Sequence, residues 1–522
     1  MRKFVVYMLF FALLFSGTQN LEAQNKNKPR LIRLEVSSGT TDNFHVIPTG
    51  QNGLLIFYET NQLNTKGNRL WYYALFDIHM KQKWLRPVAL EDKLTFVNHK
   101  QVGNIVYLVF KNSEKLRKGS GYYDILMYNI KKQAFRNIKG SMPLKAEIAD
   151  FAVQGKELCL GLNLADHKAD ALFVNTETGN IRVIHLNDLQ QVIVDGVFHN
   201  TSAGTVVVVA TSLDAKSSVR HVVYSFSPDA SLVQKVNVTY VDPMARLGDF
   251  VLADATGNNL KFFGAYHLIT KEGFFSGKDD EDSPNTEGLF YLSIENGKQK
   301  DLRHFSFLDF KNIQGTFMQS EFHKFKTKKK KASGKYPGTV SLLNITRPEI
   351  FHSNNGYVVA TNAYVAYYKT ESHMEYGFYG NLYPTDYQVF AGYQFYDELL
   401  AGFTGDGKII WDNDFPMENI LSYKIENKAL VYPDSAVITL AYVSGGQIIT
   451  QDIRGGEKLD SREKVNIASR YTRDRPVGSG ESKMTHWYNH YFLVYGYQQL
   501  KNRAMQNQPL RTVFYINKVA LR

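Results

Sequence analysis

Apolar residues along this chain fall in short continuous runs between turn residues, with no helical spacing. Gly53-Leu54-Leu55-Ile56-Phe57-Tyr58, Gly103-Asn104-Ile105-Val106-Tyr107-Leu108-Val109-Phe110 and Gly204-Thr205-Val206-Val207-Val208-Val209-Ala210 match one another. Runs of this kind predict strands covered on both faces. Each period also holds an apolar strand that ends in Asp, Asn, Ser or Gly, followed by a more polar strand. Tyr73-Ala74-Leu75-Phe76-Asp77 precedes Gln82-Lys83-Trp84-Leu85, and Ala171-Leu172-Phe173-Val174-Asn175 precedes Thr178-Gly179-Asn180-Ile181-Arg182-Val183. Further copies end at Asn129, Ser227, Ser293 and Gly402-Phe403.

From Asp77 to Asn129 is 52 residues, to Asn175 a further 46, and to Ser227 a further 52. A period near 50 made of strands alone predicts an all-β chain folded as a single β-propeller of four-stranded blades. The count is eight, with seven as the alternative: 43–89, 94–139, 147–185, 192–238, 246–306, 347–415, 418–465 and 483–518. The last region shows only three strands. Leu31-Ile32-Arg33-Leu34-Glu35-Val36 is expected to complete it, which would remove an open sheet edge. A pair of large β-sandwiches is the competing fold. Loop insertions are expected near 268–287, 320–338 and 366–388.

The turn Asn175…Thr178-Gly179-Asn180 and the stretch Asp406-Gly407-Lys408-Ile409-Ile410-Trp411 resemble the repeat of quinoprotein-like (PQQ-type, WD40-like) propellers, in which Asp/Asn…Thr-Gly-x leads to a strand ending in Trp. The resemblance implies the propeller fold, which also occurs in non-catalytic envelope scaffolds of outer-membrane protein assembly. Quinone-dependent dehydrogenases of that family use adjacent cysteines beside the cofactor. This chain has one cysteine, so that feature is excluded and no cofactor is expected.

Composition fits a strand-rich globular protein: 44% hydrophobic, 21% charged, with 32 Tyr and 34 Phe against 4 Trp. Arg2 and Lys3 precede an apolar stretch from Phe4 to Phe15, and Leu21-Glu22-Ala23 follows. This predicts a signal peptide, residues 1–23, with export beyond the inner membrane of a bacterium to the periplasm, the outer-membrane surface or the medium. No later apolar run approaches the roughly 18 residues a membrane helix needs. Cys159 has no partner for a disulfide, which is unusual for a secreted eukaryotic chain. It sits between Leu158 and Leu160 and reads as a buried hydrophobe. The net charge is +11, and +10 once the signal is removed. An exported basic surface suits an envelope protein, an anionic glycan or lipopolysaccharide; nucleic acid is not expected.

Chemical motifs are sparse. There is no G-x-S-x-G elbow, Walker A loop or dinucleotide fingerprint. Gly402-Phe403-Thr404-Gly405-Asp406-Gly407 reads as a hairpin turn. His486 and His490 lie in a strand pattern, which would hold them about 13 Å apart, too far to share zinc. Asp279-Asp280-Glu281-Asp282 lacks calcium-loop spacing and reads as a solvated tip; no metal is expected. Glycan cleavage would need two converging carboxylates, with Asp397, Glu398 and Asp412 as the candidates. Two binding features stand out. Lys328, Lys329, Lys330 and Lys331 form the strongest charge run. Ten tyrosines lie between Tyr357 and Tyr396, and an extended hairpin is expected there, with Tyr376, Phe378, Tyr379, Tyr383 and Tyr387 near a tip at 377–387. Exposed aromatics of this kind mark binding surfaces. The expected function is a non-catalytic binding or scaffold propeller of the cell envelope, with a carbohydrate-binding or glycan-cleaving propeller as the alternative.

Overall fold

The computed structural model describes residues 32–37 and 43–521, apart from 113–119, 187–190, 214–218, 240–244, 269–285, 314–342, 355, 377–378, 380, 435, 472 and 505–508. Its regular structure is strand throughout, except for single 3-10 turns at Gly50–Asn52 and Phe307–Asp309. No helix among the described residues is long and apolar enough to cross a membrane. The expected signal segment, residues 1–23, the acidic run 279–282 and Lys328 to Lys331 lie outside the described residues.

Eight antiparallel sheets form the blades of a β-propeller. Seven are built from consecutive strands, spanning 44–90, 94–142, 147–185, 191–238, 245–306, 344–422 and 430–466. The eighth joins the two ends of the chain: 475–488, 491–501 and 510–520 are followed in space by Ile32–Ser37, which pairs with the last of them from Ile32↔Lys518 to Ser37↔Val513. The closing strand expected from sequence is therefore in place. Three blade limits differ from expectation. The outer strand of blade 6 runs on to Ser422, so blade 7 begins at Leu430, and the inner strand of blade 8 starts at Arg475. Blade 7 is irregular because its outer strand is split into Glu457–Lys458 and Glu463–Asn466.

The core is divided among eight wedges, one between each pair of neighbouring blades. A middle strand contributes side chains to two wedges at once, so it must be apolar on both faces. Leu158 and Leu160 pack toward blade 2, and Cys159 packs toward blade 4. Burial pushes the Cys159 thiol up, away from the reactive thiolate. Outer strands face water on one side and read as more polar, as in Lys298–Ser306. Ring closure shows in the wedge of Phe514 and Ile516 against Val46, Leu54 and Phe76. The wedge between blades 7 and 8 is small, with Val443, Ile448 and Ile467 against Val494, Tyr515 and Val519.

Candidate interaction surface

Blade 6 departs from the pattern of the others. Its second and third strands, Gly356–Tyr376 and Leu382–Thr404, are 21 and 23 residues long. Their lower halves are buried in the blade, from Tyr357 to Val365 and from Ala391 to Phe403. Beyond Val365 the side chains become exposed or partly exposed while the ladder continues to Tyr376↔Leu382. Eleven residues at about 3.3 Å each carry the ribbon about 36 Å past the body.

Side chains alternate along this ribbon, so register assigns each one to a face. One face carries Tyr368, Met374 and Tyr376, with Phe390, Pro384 and Leu382 opposite them. At its base this face joins the wedge against blade 7 through Tyr364, Tyr393 and Phe395. A chain of edge-on ring contacts climbs from there: Tyr364 to Tyr393, Tyr393 to Phe390, then Phe390 to Tyr368 and Tyr423, with centroids 5.1 to 6.1 Å apart. The other face carries Tyr367, Tyr383 and Tyr387 among charged neighbours. There Lys369 pairs with Glu371 at 2.6 Å, and the Tyr387 hydroxyl donates to Glu375.

The tip expected from sequence is thus shorter than proposed. Only 377–381 lie between the strands; Tyr383 and Tyr387 belong to the returning strand and sit on the face opposite Tyr376. Tyr379 is 92% exposed and Tyr376 76%; Tyr383 and Tyr387 are also exposed. Phe378 lies outside the described residues. The sequence places Tyr368 and Phe390 in the aromatic run without assigning them to the surface, and gives no notice of Met374 and Tyr423, although the period-two alternation from Tyr368 to Tyr376 was a usable signal.

The segment holding the lysine run is left and rejoined at two different ends of the blades. Ile313 and Asn312 donate backbone N–H to Asp412, three rungs from the turn end of blade 6. Leu343 pairs with Thr286, at the end from which the ribbon projects.

The inner strands carry carboxylates at bulges, where an extra residue re-aims the side chain. Irregularities at Ile148/Asp150, Val194/Gly196 and Gly248/Val251 present Asp150, Asp195 and Asp249. Each meets a basic side chain. Lys100 reaches Asp150 at 2.8 Å, and Arg347 approaches the same carboxylate at 3.8 Å. Arg246 holds Asp195 at 3.0 Å, and His267 lies 3.4 Å from Asp249. Arg347 also donates to the Phe250 carbonyl at 2.6 Å, so it ties blades 3, 5 and 6 together.

Asp195, Thr211 and His221 look superficially like a nucleophilic triad. Geometry excludes that use. Leu247 N–H donates to His221 Nε2 at 3.1 Å, so the ring proton sits on Nδ1 and faces Thr211 at 2.7 Å. The threonine hydroxyl then donates to Asp195. The imidazole therefore faces the hydroxyl as a donor and cannot take its proton, and Thr211 and His221 are fully buried.

The glycosidase candidates do not converge. Asp397 and Glu398 are successive residues of one strand, so they point to opposite faces, and both are buried. Asp412 is occupied by the two backbone N–H groups of Asn312 and Ile313. His486 lies in the strand Arg475–Tyr488 and contacts the Asn489 carbonyl at 2.8 Å. The turn at 402–407 is a hairpin, closed by Thr404 N–H to Lys408 O at 2.8 Å, with Gly407 at φ +76°.

Glu398 carries a prediction of its own. Burial, then Glu349 and Asp397, push its carboxyl well above the usual range. A carboxyl raised on folding must take up a proton above its unfolded pKa, so stability is lost as pH rises. Glu398→Gln keeps the shape and removes the titration. The urea midpoint of Glu398→Gln is expected to exceed that of the parent by a margin that widens from pH 5 to pH 8. A margin that is constant or negative across that window would reject the assignment.

No family model and no curated protein sequence matches the chain. Among solved structures it is similar to the WD40 domain of SCAP from fission yeast, with TM-score 0.41 and 9% identity over 95% of this chain and 98% of that one. It is similar also to the propeller domain of the Trilobed protease from Pyrococcus furiosus, with TM-score 0.33 and 8% identity over 83% of this chain and 99% of that one. A third is the polysaccharide lyase Uly1, with TM-score 0.37 and 9% identity over 81% and 89%. These likenesses carry no argument about activity, and the propeller is established by the sheet topology of the chain itself.

Proposed function

We propose that this chain is an exported, non-catalytic β-propeller of the bacterial cell envelope whose projecting ribbon binds an envelope protein. The observation that supports this reading is the ribbon itself, about 36 Å of paired strand with aromatic side chains held in water. A fold gains nothing from holding Tyr376 and Tyr379 exposed. A rigid ring with a polar edge supplies contact area to a partner at little entropic cost, which is why aromatics anchor interfaces. The paired inner-strand carboxylates and the inverted Asp195–Thr211–His221 chain support the non-catalytic part. Export rests on the N-terminal pattern of Arg2, Lys3 and the Phe4 to Phe15 stretch.

The test is recovery of the native protein from the producing cell with its bound material. Intact mass should begin at Gln24, and a partner should be retained. Tyr379→Ala with Tyr383→Ala should lose most of that partner at low and at high salt, because aromatic contact is not screened. Retention of Met1, or equal recovery by parent and variant, overturns the reading. Release by soluble anionic glycan instead of by a protein would favour the carbohydrate-binding alternative.

A further inference from the structure

The outer rim of blades 1 and 2 is basic, and its charges are not balanced. Blade 1 contributes Asp77, Lys81, Lys83 and Arg86 between 77 and 90, and blade 2 contributes Lys131, Lys132, Arg136 and Lys139 between 129 and 142. These are seven basic residues against one acidic. All seven are exposed, and every residue of both segments is described. Lys139 pairs with Glu91 at 2.8 Å. Among the described residues, Lys81, Lys83, Lys131 and Lys132 form no ion pair. The fold itself gathers them. Trp84 Nε1 donates to Gln133 Oε1 at 3.0 Å, and Arg86 donates to the Gln133 carbonyl at 2.8 Å. The turn 130–133 of blade 2 is thereby clamped to the strand of blade 1 that carries Lys83. Arg136 makes the same reach to the Glu177 carbonyl of blade 3. Like charges gathered without carboxylates between them repel, and they focus a field that attracts anions.

Position matters as much as charge. The turns 77–81 and 130–133 join third strands to fourth strands, as the hairpin turn of blade 6 does, so they lie at the end of the ring away from the ribbon. Blade 2 is four places round from blade 6, on the opposite side of an eight-bladed ring. At blade 6 the outer rim is acidic, with Asp406, Asp412, Asp414 and Glu418 against Lys408 between 404 and 422. The ring is therefore basic on one side and acidic on the side that bears the ribbon.

We infer that the rim of blades 1 and 2 rests on an anionic membrane surface, with headgroup phosphates against Lys81, Lys83, Lys131 and Lys132 and the ribbon turned away from the membrane. The composition of the rim favours this occupant. No exposed large apolar side chain falls within 77–90 or 129–142, so the aromatic anchors of a protein interface are missing. A glycan would stack on a ring face, but Arg86 lies 4.8 Å from the centre of the Trp84 ring and covers it. Lysine ammoniums on flexible stems are point charges that meet phosphates without a fixed geometry. Attraction of this kind acts within about 10 Å of the surface at 0.1 M salt. The rim lies across the ring from the ribbon, so this inference and the proposed partner can each fail alone.

The test is co-sedimentation of purified residues 24–522 with phosphatidylcholine vesicles, with and without phosphatidylglycerol. The parent should bind only the anionic vesicles, and binding should fall steeply with salt. Lys83→Glu, Lys131→Glu and Lys132→Glu together should weaken it about tenfold or more. Their unfolding midpoint should match the parent, because these side chains are exposed. Lys328→Glu, Lys329→Glu and Lys330→Glu together make the same change in net charge and should leave most of the binding intact. Equal loss in the two variants would show that net charge alone draws the protein to the membrane, and overturns the inference. A parent that ignores anionic vesicles, or a rim variant that binds like the parent, overturns it too. Inorganic phosphate should release no more protein than chloride at equal ionic strength; preferential release would assign the rim to free phosphate instead. Tighter binding to a soluble anionic polysaccharide than to the vesicles would assign it to a glycan and equally reject the membrane.

Discussion

A chain of residues 43–522 is expected to lose several kcal/mol of stability relative to residues 24–522, or to aggregate before it folds. Removing Ile32–Ser37 strips the outer strand from blade 8 and leaves the edge from Val513 to Lys518 bare. The loss is larger than one ladder, because the strand also carries half of a buried charge cluster. Arg33 Nε donates to Glu35 at 2.6 Å, and its other nitrogens reach Asn517 at 3.2 Å and Gln498 at 3.0 Å. Glu35 accepts from Arg470 N–H at 3.1 Å and from Arg511 at 3.4 Å, while Arg511 holds Asp474 at 2.5 Å. The Arg33 and Glu35 side chains are 6% and 4% exposed. Breaking one partner out of such a cluster costs about 3–5 kcal/mol, against a total stability of about 5–15 kcal/mol for a typical domain. Glu35→Ala in the full chain tests the cluster apart from the ladder and should lower the unfolding free energy from urea titration by about 3–5 kcal/mol. Adding residues 24–42 as a peptide should restore the truncated ring in part. An unchanged midpoint for the 43–522 chain would refute closure of the ring by this strand.

The second large effect is expected at Lys428. Its side chain is 2% exposed in the connection between blades 6 and 7. Its ammonium donates to Glu481 at 2.5 Å, Ser422 at 2.9 Å and Glu426 at 3.0 Å, and Glu426 in turn pairs with Lys483 at 2.7 Å. Glu481 and Lys483 belong to the inner strand of blade 8. The cluster therefore bolsters the part of the ring where the apolar wedge between blades 7 and 8 is small. Lys428→Ala leaves two carboxylates facing each other with one cation fewer, and should cost about 3–5 kcal/mol at neutral pH. Lys428→Met with Glu481→Gln should cost less than the sum of the two single changes, because the pair is removed together.

Acid should act on the same cluster. Burial works to raise the Glu481 carboxyl, but the hydrogen bond and charge of Lys428, with Ser422, outweigh it and bring it down to about 2. A carboxylate depressed on folding contributes stability above its unfolded pKa of about 4.5, and the contribution fades as pH falls toward the folded value. The parent should weaken between about pH 4.5 and pH 2, and Glu481→Gln should flatten that decline. An acid slope identical in parent and Glu481→Gln would show that other carboxyls carry it.

Much of the architecture was legible in the residues because its causes are local. A strand buried on both faces must be apolar at every position, whatever its neighbours are, so Val106 to Phe110 and Val206 to Ala210 announce middle strands without any long-range information. Their recurrence sets the blade period, and a last repeat one strand short points to the strand at the other end of the chain. The aromatic ribbon was visible for the same reason, since a run of tyrosines with turn residues between them has few other uses.

What the chain could not reveal by itself depends on register and on contacts between distant residues. The position of the turn at 377–381 decides which face each ribbon side chain takes, and a shift of one residue would exchange Tyr376 with Tyr383 and Tyr387. Asp397 and Glu398 looked like a catalytic pair as neighbours in sequence, yet adjacency in a strand is what sends them to opposite faces. The partners of Glu35 lie up to 476 positions away, and those of Asp150 come from blades 2, 4 and 6. Charges so far apart in the chain leave no periodic trace, because nothing local requires them; only closure of the ring brings them within reach and makes burial of one dependent on the other.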